Sequence, residues 1–329
     1  MASDANSAYH GFALPLPERT LIAGIRRRAR QTPAVVAGIG DDCAILRIPA
    51  RRDFLVTTDF SLEGVHFRRQ WHTPDSIGYR CLARGLSDIA AMGGDPVAAF
   101  LSLALPAKLP HRWVDRFFDG LLQLQADFKI PLAGGDTSQS PRGILADIVV
   151  VGSVPKGRAI LRSGACPGDH IYATGRLGES VAALEALRSG RRIRAADYPR
   201  HFKPVPRLKI GQFLRHHALA SSMIDLSDGL STDLSHLCEE SGVGAEIQSA
   251  AIPRAGAGKP LCEVRLDLAL HGGEDYELLF TSSKPVPTKI SGVTVSEIGR
   301  IIRGKKLVLI NDNGTRKALK PRGWENFRA

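Results

Sequence analysis

Strand-patterned and helix-patterned segments alternate along all 329 residues, which predicts an α/β (α+β) chain of two domains. Three observations carry this. Apolar and β-branched runs at Phe54–Thr58, Ala98–Leu105 and Ile144–Val154 have strand length. Between them, apolar residues recur near every 3.6 positions: Ile77, Cys81, Leu82, Gly85, Ile89 and Met92, then Trp113, Phe117, Leu121, Leu124 and Phe128. The Gly- and Pro-rich stretch Pro155–Gly168 separates two halves that both mix the two patterns, so the expected domains are 1–155 and 156–329.

The elements follow in order. After a loose lead-in with Pro15 and Pro17, a helix is predicted over 18–30 and a strand over 54–58. The helix over 77–92 is stopped by Gly93-Gly94. In the second half, His170–Thr174 reads as a strand. Gly178–Ser189 reads as a helix with Val181, Leu184 and Leu187 on one side. A basic, Pro-containing connection covers Arg191–Arg207, two helices flank a loop at Asp225, and Leu278–Thr281 and Leu307–Ile310 are strands. There is no long internal repeat.

Hydrophobic residues make up 43% and charged residues 23%, near globular averages, which excludes a disordered tail, a collagen-like fibre and a coiled coil. No run of about 18 apolar residues exists, so no transmembrane helix and no membrane partner are expected. Met1–Thr20 lacks a basic start followed by an apolar core, so no secretory leader is expected. Lys+Arg outnumber Asp+Glu by 44 to 33, a net charge of +11 that favours anionic partners. The basic residues are scattered, with clusters at Arg26–Arg30 and Arg188–Arg207 whose role stays open. A solvated basic surface with a phosphate site is preferred over nucleic-acid binding. Cys43, Cys81, Cys166, Cys238 and Cys262 are odd in number, far apart and free of any C-x-x-C, which disfavours zinc and disulfides and fits a reducing cytoplasm.

The unusual feature is where the carboxylates sit. They stand beside glycines, between apolar segments. Gly40-Asp41-Asp42 precedes an apolar run, Thr57-Thr58-Asp59 ends the predicted strand, and Leu86-Ser87-Asp88 lies inside the apolar helix. Ala133-Gly134-Gly135-Asp136-Thr137, Asp225-Leu226-Ser227-Asp228-Gly229 and His271-Gly272-Gly273-Glu274-Asp275 form three loops. One such loop alone is more often a turn or cap. Six together ask for neutralisation, because clustered carboxylates are costly without a counter-charge. Hard oxygen donors suit Mg²⁺ or Ca²⁺ rather than zinc. Glycines beside them let the backbone approach phosphate oxygens. The joint reading is a multi-metal site handling phosphoryl groups. There is no P-loop, no H-R-D or D-F-G, and no complete G-x-G-x-x-G after a strand, so any ATP is cradled differently.

These motifs, in this order, resemble the thiamine-monophosphate kinase family: Gly38–Ala44, Thr57-Thr58-Asp59 with His66-Phe67, Leu86–Gly93, Ala133–Thr137, Arg162-Ser163-Gly164-Ala165, Asp225–Gly229 and Gly272–Leu278. The resemblance runs from about residue 20 to Phe327. Two departures touch no motif: a longer lead-in, and a poor fit at 254–266.

The resemblance implies the two-domain fold of the aminoimidazole-ribonucleotide synthetase superfamily. The N-terminal domain would bind ATP and Mg²⁺ and pair into a homodimer. The C-terminal α/β domain would complete the ATP and substrate site. The implied reaction is ATP plus thiamine monophosphate giving thiamine diphosphate and ADP, with several Mg²⁺ ions and K⁺ as a further candidate cation. By that resemblance Asp42, Asp59, Asp88, Asp136, Asp225 and Asp228 match magnesium ligands, and Thr57 and Thr58 match a polar pair touching metal. Gly135, Asp136, Arg162 and Ser227 match positions that hold ATP. His66, Glu274 and Trp324 match positions lining the thiamine phosphate site.

Residue chemistry agrees with these roles. Arg162 is a planar, always-charged fork suited to phosphate, and Trp324 offers a ring face to a cationic heterocycle. No residue is expected as general base, because a phosphate monoester with a second pKa of about 6 is already ionised at neutral pH. The alternatives are another superfamily enzyme, such as aminoimidazole-ribonucleotide synthetase, or a non-catalytic nucleotide-binding protein. The selenophosphate and hydrogenase-maturation branches would need a reactive Cys before Cys43 or at the C-terminus, and this sequence has neither. A Ca²⁺-stabilised structural protein would need a contiguous ligand loop.

Overall fold

The computed structural model describes residues 18–29, 32–37, 45–47 and 49–324. The run Gly38–Ala44, with Asp42, lies outside the described residues. The first elements are α1 (Glu18–Arg28), β1 (Val35–Ala37), β2 (Ile45–Leu46), β3 (Arg52–Leu62), α2 (Pro74–Ala91), β4 (Asp95–Pro106), α3 (His111–Phe128), β5 (Leu132–Ser140) and β6 (Leu145–Pro155). There follow β7 (His170–Thr174), α4 (Glu179–Arg188), α5 (Pro199–Phe202), α6 (Leu208–His216), β8 (Ser222–Asp225), α7 (Leu230–Ser241), β9 (Gly244–Gln248), β10 (Gly256–Ala257) and β11 (Cys262–Glu263). The last are α8 (Leu266–His271), β12 (Leu278–Ser282), β13 (Lys289–Ile290), β14 (Val293–Ile302), β15 (Leu307–Ile310) and β16 (Arg316–Ala318).

Two compact units are present among the described residues. One holds residues 18–47, 58–82 and 98–149, the other 49–57, 83–97 and 150–324. A four-stranded sheet has the order β3-β6-β4-β5. In the first unit β4 and β5 run parallel, with Leu101 opposite Gly135 and Ser102 opposite Asp136. Parallel neighbours need a crossover, and α3 supplies it. That helix buries Phe117, Leu121 and Leu124 of the predicted stripe, together with Val114 and Phe118, while Trp113 and Phe128 at its ends are half-buried. Helices α2 and α3 cross closely: a Cβ on Gly78 would stand 1.9 Å from the Phe117 carbonyl oxygen, and one on Gly120 1.8 Å from that of Asp75. β3 is an edge strand, and Phe54, Val56, Phe60 and Leu62 along it are exposed.

The second unit is built on an eight-stranded sheet of order β16-β15-β9-β14-β7-β12-β8, with β13 added on β14. Only β15 and β9 pair in parallel. Leu230, Leu234 and Leu237 of α7 share one core cluster with Ile171, Ala173, Ile224, Ile247, Leu279 and Ile298. Each fully buried leucine here contributes roughly 1.5–3 kcal/mol. A polar cluster lies in the same unit. Glu277, 1% exposed, accepts from Thr174 Oγ1 (2.7 Å), Arg200 Nη1 (3.1 Å) and Arg207 Nε (2.6 Å).

Several sequence expectations change in detail. The strand predicted over 54–58 runs to Leu62, so Asp59 lies inside it rather than at its end. Alternating exposure lets a polar run continue an edge strand, which apolar composition alone does not reveal. Asp136 likewise stands in β5 and not in a loop, because pairing with β4 carries the glycines into the sheet. β8 leads into the loop at Asp225, so a strand and a helix border it directly. Among the described residues no helix is long and apolar enough to cross a membrane. Cys81, Cys166, Cys238 and Cys262 carry free thiols.

Candidate functional site

In the second unit, three predicted segments meet through their backbones. β8 ends at Asp225, and residues 226–229 turn the chain into α7. The Leu226 N–H donates to the Glu277 carbonyl (2.8 Å), the Tyr276 N–H to the Leu226 carbonyl (2.9 Å) and the Glu274 N–H to the Ser227 carbonyl (2.8 Å). These bonds hold Glu274 at φ +65° and Tyr276 at φ +49°. A left-handed conformation costs a side-chain-bearing residue about 1–2 kcal/mol, so the surrounding bonds must impose it. The C-terminal segment joins the same loop. The Trp324 N–H donates to the Asp228 carbonyl (2.9 Å) and the Gly323 N–H to Thr232 Oγ1 (3.0 Å), and Trp324 is left 47% exposed.

The carboxylates of this unit are engaged but under-compensated. Thr57 Oγ1 donates to Asp88, and Ser87 Oγ donates to Asp225 (2.7 Å). Asp233 accepts the Asp228 and Gly229 N–H groups at 3.2 and 2.9 Å, capping the first turn of α7. Burial pushes the Asp88 carboxyl above its ordinary value; the Thr57 bond and the charges of Arg162 and Arg84 pull against it. Burial also raises Asp228, against the charges of His236, Arg162 and Arg84. Asp233 is pushed well up, first by burial and then by the charges of Asp225 and Asp228. Asp228, Asp233 and His236 present ligand atoms that all lie within 4.8 Å of one another.

Arg162 is exposed in the segment after β6. Its backbone is pinned where Ser241 Oγ donates to the Arg162 carbonyl (3.1 Å) and the Met223 N–H to the Leu161 carbonyl (2.9 Å). Arg84, four residues before Asp88 on α2, donates from Nε to Tyr276 Oη (2.8 Å) and from Nη2 to Glu274 Oε1 (3.1 Å). Thus Thr57, Asp88, Arg162, Asp225, Ser227, Asp228, Glu274 and Trp324 all belong to this unit.

Thr58, Asp59, His66, Gly135 and Asp136 belong to the first unit. Thr58 Oγ1 donates to Asp147 (2.6 Å). Asp136 is exposed, and its Oδ1 accepts the neighbouring Thr137 N–H (2.9 Å). Gly135, at φ +150°, brings the strand so close that a Cβ would meet the Leu101 carbonyl oxygen at 1.9 Å. His66 turns inward on its own loop, its Nδ1 accepting the Leu62 N–H (3.0 Å).

Ser87 and Tyr276 stand in the motifs but had no role assigned from sequence, and Arg84, Asp233 and His236 were not singled out at all. Arg84 is one helical turn from Asp88, a spacing that places both on one face. Asp233 and His236 lie one and two turns along the helix that opens beside Asp228.

The family model described as AIR synthase related protein, N-terminal domain, matches residues 40–154. The mixed α/β architecture is the fold of that class. The thiamine-monophosphate kinase of Escherichia coli O157:H7 is 43% identical over 272 residues, 80% of this chain and 82% of that protein. The crystal structure of thiamine-monophosphate kinase from Stenotrophomonas maltophilia K279a superposes with TM-score 0.78 at 34% identity, covering 89% of this chain and 96% of that one. The structure described as AaThiL complexed with AMPPCP and TMP gives TM-score 0.75 at 32% identity, covering 96% of this chain and 100% of that one. The chain belongs to the thiamine-monophosphate kinase family and is an enzyme of that kinase class.

Proposed function

We propose that this chain transfers the γ-phosphoryl group of ATP to thiamine monophosphate, giving thiamine diphosphate and ADP. The observation that carries the reading is the convergence of Asp88, Asp225, Asp228 and Asp233 with Arg162 and Arg84 in one unit, in a chain 32% identical to a protein solved with AMPPCP and TMP.

The donor set fits Mg²⁺. Its oxygens are hard, and burial has raised Asp88, Asp228 and Asp233 as it does where a counter-charge is wanting. Asp42, Thr57, Thr58, Asp59, Asp88, Asp136, Asp225 and Asp228 are the proposed ligands. When bound, Mg²⁺ lowers the repulsion between the two phosphate-bearing substrates. Gly135, Asp136, Arg162 and Ser227 would hold ATP, Arg162 as a fork on phosphate oxygens. Glu274 and Trp324 would take the heterocycle, the ring of Trp324 lying against its cationic face, and His66 would sit by the acceptor phosphate.

No side chain need move a proton. The acceptor oxygen is ionised at neutral pH, so the residues bind, align and exclude water for an in-line displacement. The same reading includes the domains 1–155 and 156–329, a homodimer formed through the N-terminal domain, and residence in the cytoplasm. The exposed apolar side chains of β3 support the pairing.

Product analysis tests the proposal. The protein is incubated with Mg²⁺, ATP and thiamine monophosphate, beside an Asp136→Asn control. Thiamine diphosphate and ADP in equal amounts, only with the unmodified protein and metal, is the expected result. ATP binding without product would redirect the search to another phosphorylated acceptor.

A further inference from the structure

We propose that Arg84 is a positioning residue: its guanidinium bridges Glu274 and Tyr276 and so sets the direction in which the Glu274 carboxylate meets the substrate's cationic, amino-bearing heterocycle. The inference rests on the reading above for the role of Glu274.

Four observations carry it. Arg84 is nearly buried, its side chain 10% exposed, and Glu274 is 23% exposed, so the pair is shielded from water. Two different nitrogens of one planar group are used, Nε on Tyr276 Oη (2.8 Å) and Nη2 on Glu274 Oε1 (3.1 Å). The two partners are the residues held at positive φ in this turn, so the bridge closes over its strained part. Arg84 also rides on α2, a regular helix of 18 residues, which is a firmer base than the turn itself.

The chemistry is specific. A carboxylate has about four lone-pair sites, and the bond from Nη2 uses one of them. The bond fixes the rotamer in which the Glu274 carboxylate would meet an amino group. Lysine would not substitute, because a single ammonium on a flexible stem cannot reproduce two donors at a fixed separation. Arg84 also faces Asp88 and Asp228, whose ionised forms its charge favours. The test must therefore separate an effect through Glu274 from one through those carboxylates.

Calorimetry on the full chain makes that separation. Dissociation constants for thiamine monophosphate and for a non-hydrolysable ATP analogue with Mg²⁺ are measured for the unmodified protein, Arg84→Met, Arg84→Lys, Glu274→Gln and the Arg84→Met/Glu274→Gln double variant. Thermal midpoints are recorded alongside. Arg84→Met is expected to weaken thiamine monophosphate about tenfold and the nucleotide less than threefold. Arg84→Lys should not rescue it. The double variant should be no worse than the weaker single one, since both act on one contact. Tyr276→Phe, which deletes the Nε contact and leaves the Nη2 bond to Glu274, should give a smaller loss of the same kind and stands in if Arg84→Met does not fold. Additive losses, equal weakening of both ligands, or tighter binding of thiamine monophosphate by Arg84→Met would each overturn the inference. An unmodified protein that binds the nucleotide but not thiamine monophosphate would overturn the functional reading itself, and this inference with it.

Discussion

Replacing Asp88 by Asn should make the metal-free protein no less stable while stripping it of activity. The substitution keeps the shape, and an amide oxygen can still accept from Thr57 Oγ1. What it removes is a charge that burial disfavours, with the Thr57 bond and the cations of Arg162 and Arg84 compensating only in part. The sign follows from linkage. A carboxyl raised in the folded state binds its proton more tightly there than in the unfolded chain. Ionising it therefore costs stability as pH climbs past the unfolded value near 3.9. At pH 7.5 without Mg²⁺ the variant should therefore be the more stable protein, seen as a rise in Tm. With Mg²⁺ and ATP, loss of a charge-stabilising group should lower kcat/KM by about 10²–10³. Differential scanning fluorimetry reads the first quantity and coupled ADP release the second. A loss under about tenfold would place Asp88 away from the reacting charge. A fall in the metal-free midpoint would show that its carboxylate supports the fold instead of loading it.

Asp275, buried and pushed well up by its burial and by Glu277, should make stability fall as pH rises from about 4 toward its folded value. Unfolding of Asp275→Asn, which still accepts the Gly178 N–H, should show a flatter pH profile, and parallel profiles would refute the assignment. Gly135→Ala should separate β4 from β5, costing more than about 3 kcal/mol, visible as a large fall in Tm or loss of soluble protein. His66→Ala should leave the rate of the chemical step within about tenfold in single-turnover assays, because the acceptor needs no base; an abolished step with intact binding would contradict that mechanism. Phe60→Asp, on the exposed edge of β3, should shift the protein toward monomer in light scattering, and an unchanged mass would remove that strand from the interface.

Much of the second unit was legible in advance. His170–Thr174 and Leu307–Ile310 are strands at the predicted residues, and the helix predicted over 178–189 is α4, Glu179–Arg188. Short apolar runs and amphipathic spacing report burial directly. Less legible were positions whose structure depends on a partner strand. Asp59 and Asp136 read as a strand end and a loop because polar and glycine residues interrupt the apolar pattern, yet both lie within strands. The resemblance put Asp88 and Thr57 at one metal site, but the hydrogen bond between them was out of reach of any local pattern. The two are 31 residues apart, and no local rule joins a helix to that strand.

The residue order alone was enough to suggest a class of chemistry for this protein. Carboxylates beside glycines and an absent P-loop are properties of composition and spacing that led to the reading of metal-assisted phosphoryl transfer, and the resemblance of the motif set, including the Gly-Gly-Glu-Asp-Tyr-Glu run, led to the family. The tertiary structure decided which side chains constrain one another. That Arg84 bridges Glu274 and Tyr276, and that Ser87 donates to Asp225, follows from elements distant in sequence packing at one place. The physical reason is that periodicity encodes which face of an element is buried, whereas direction and charge at a site depend on what the rest of the chain brings against that face.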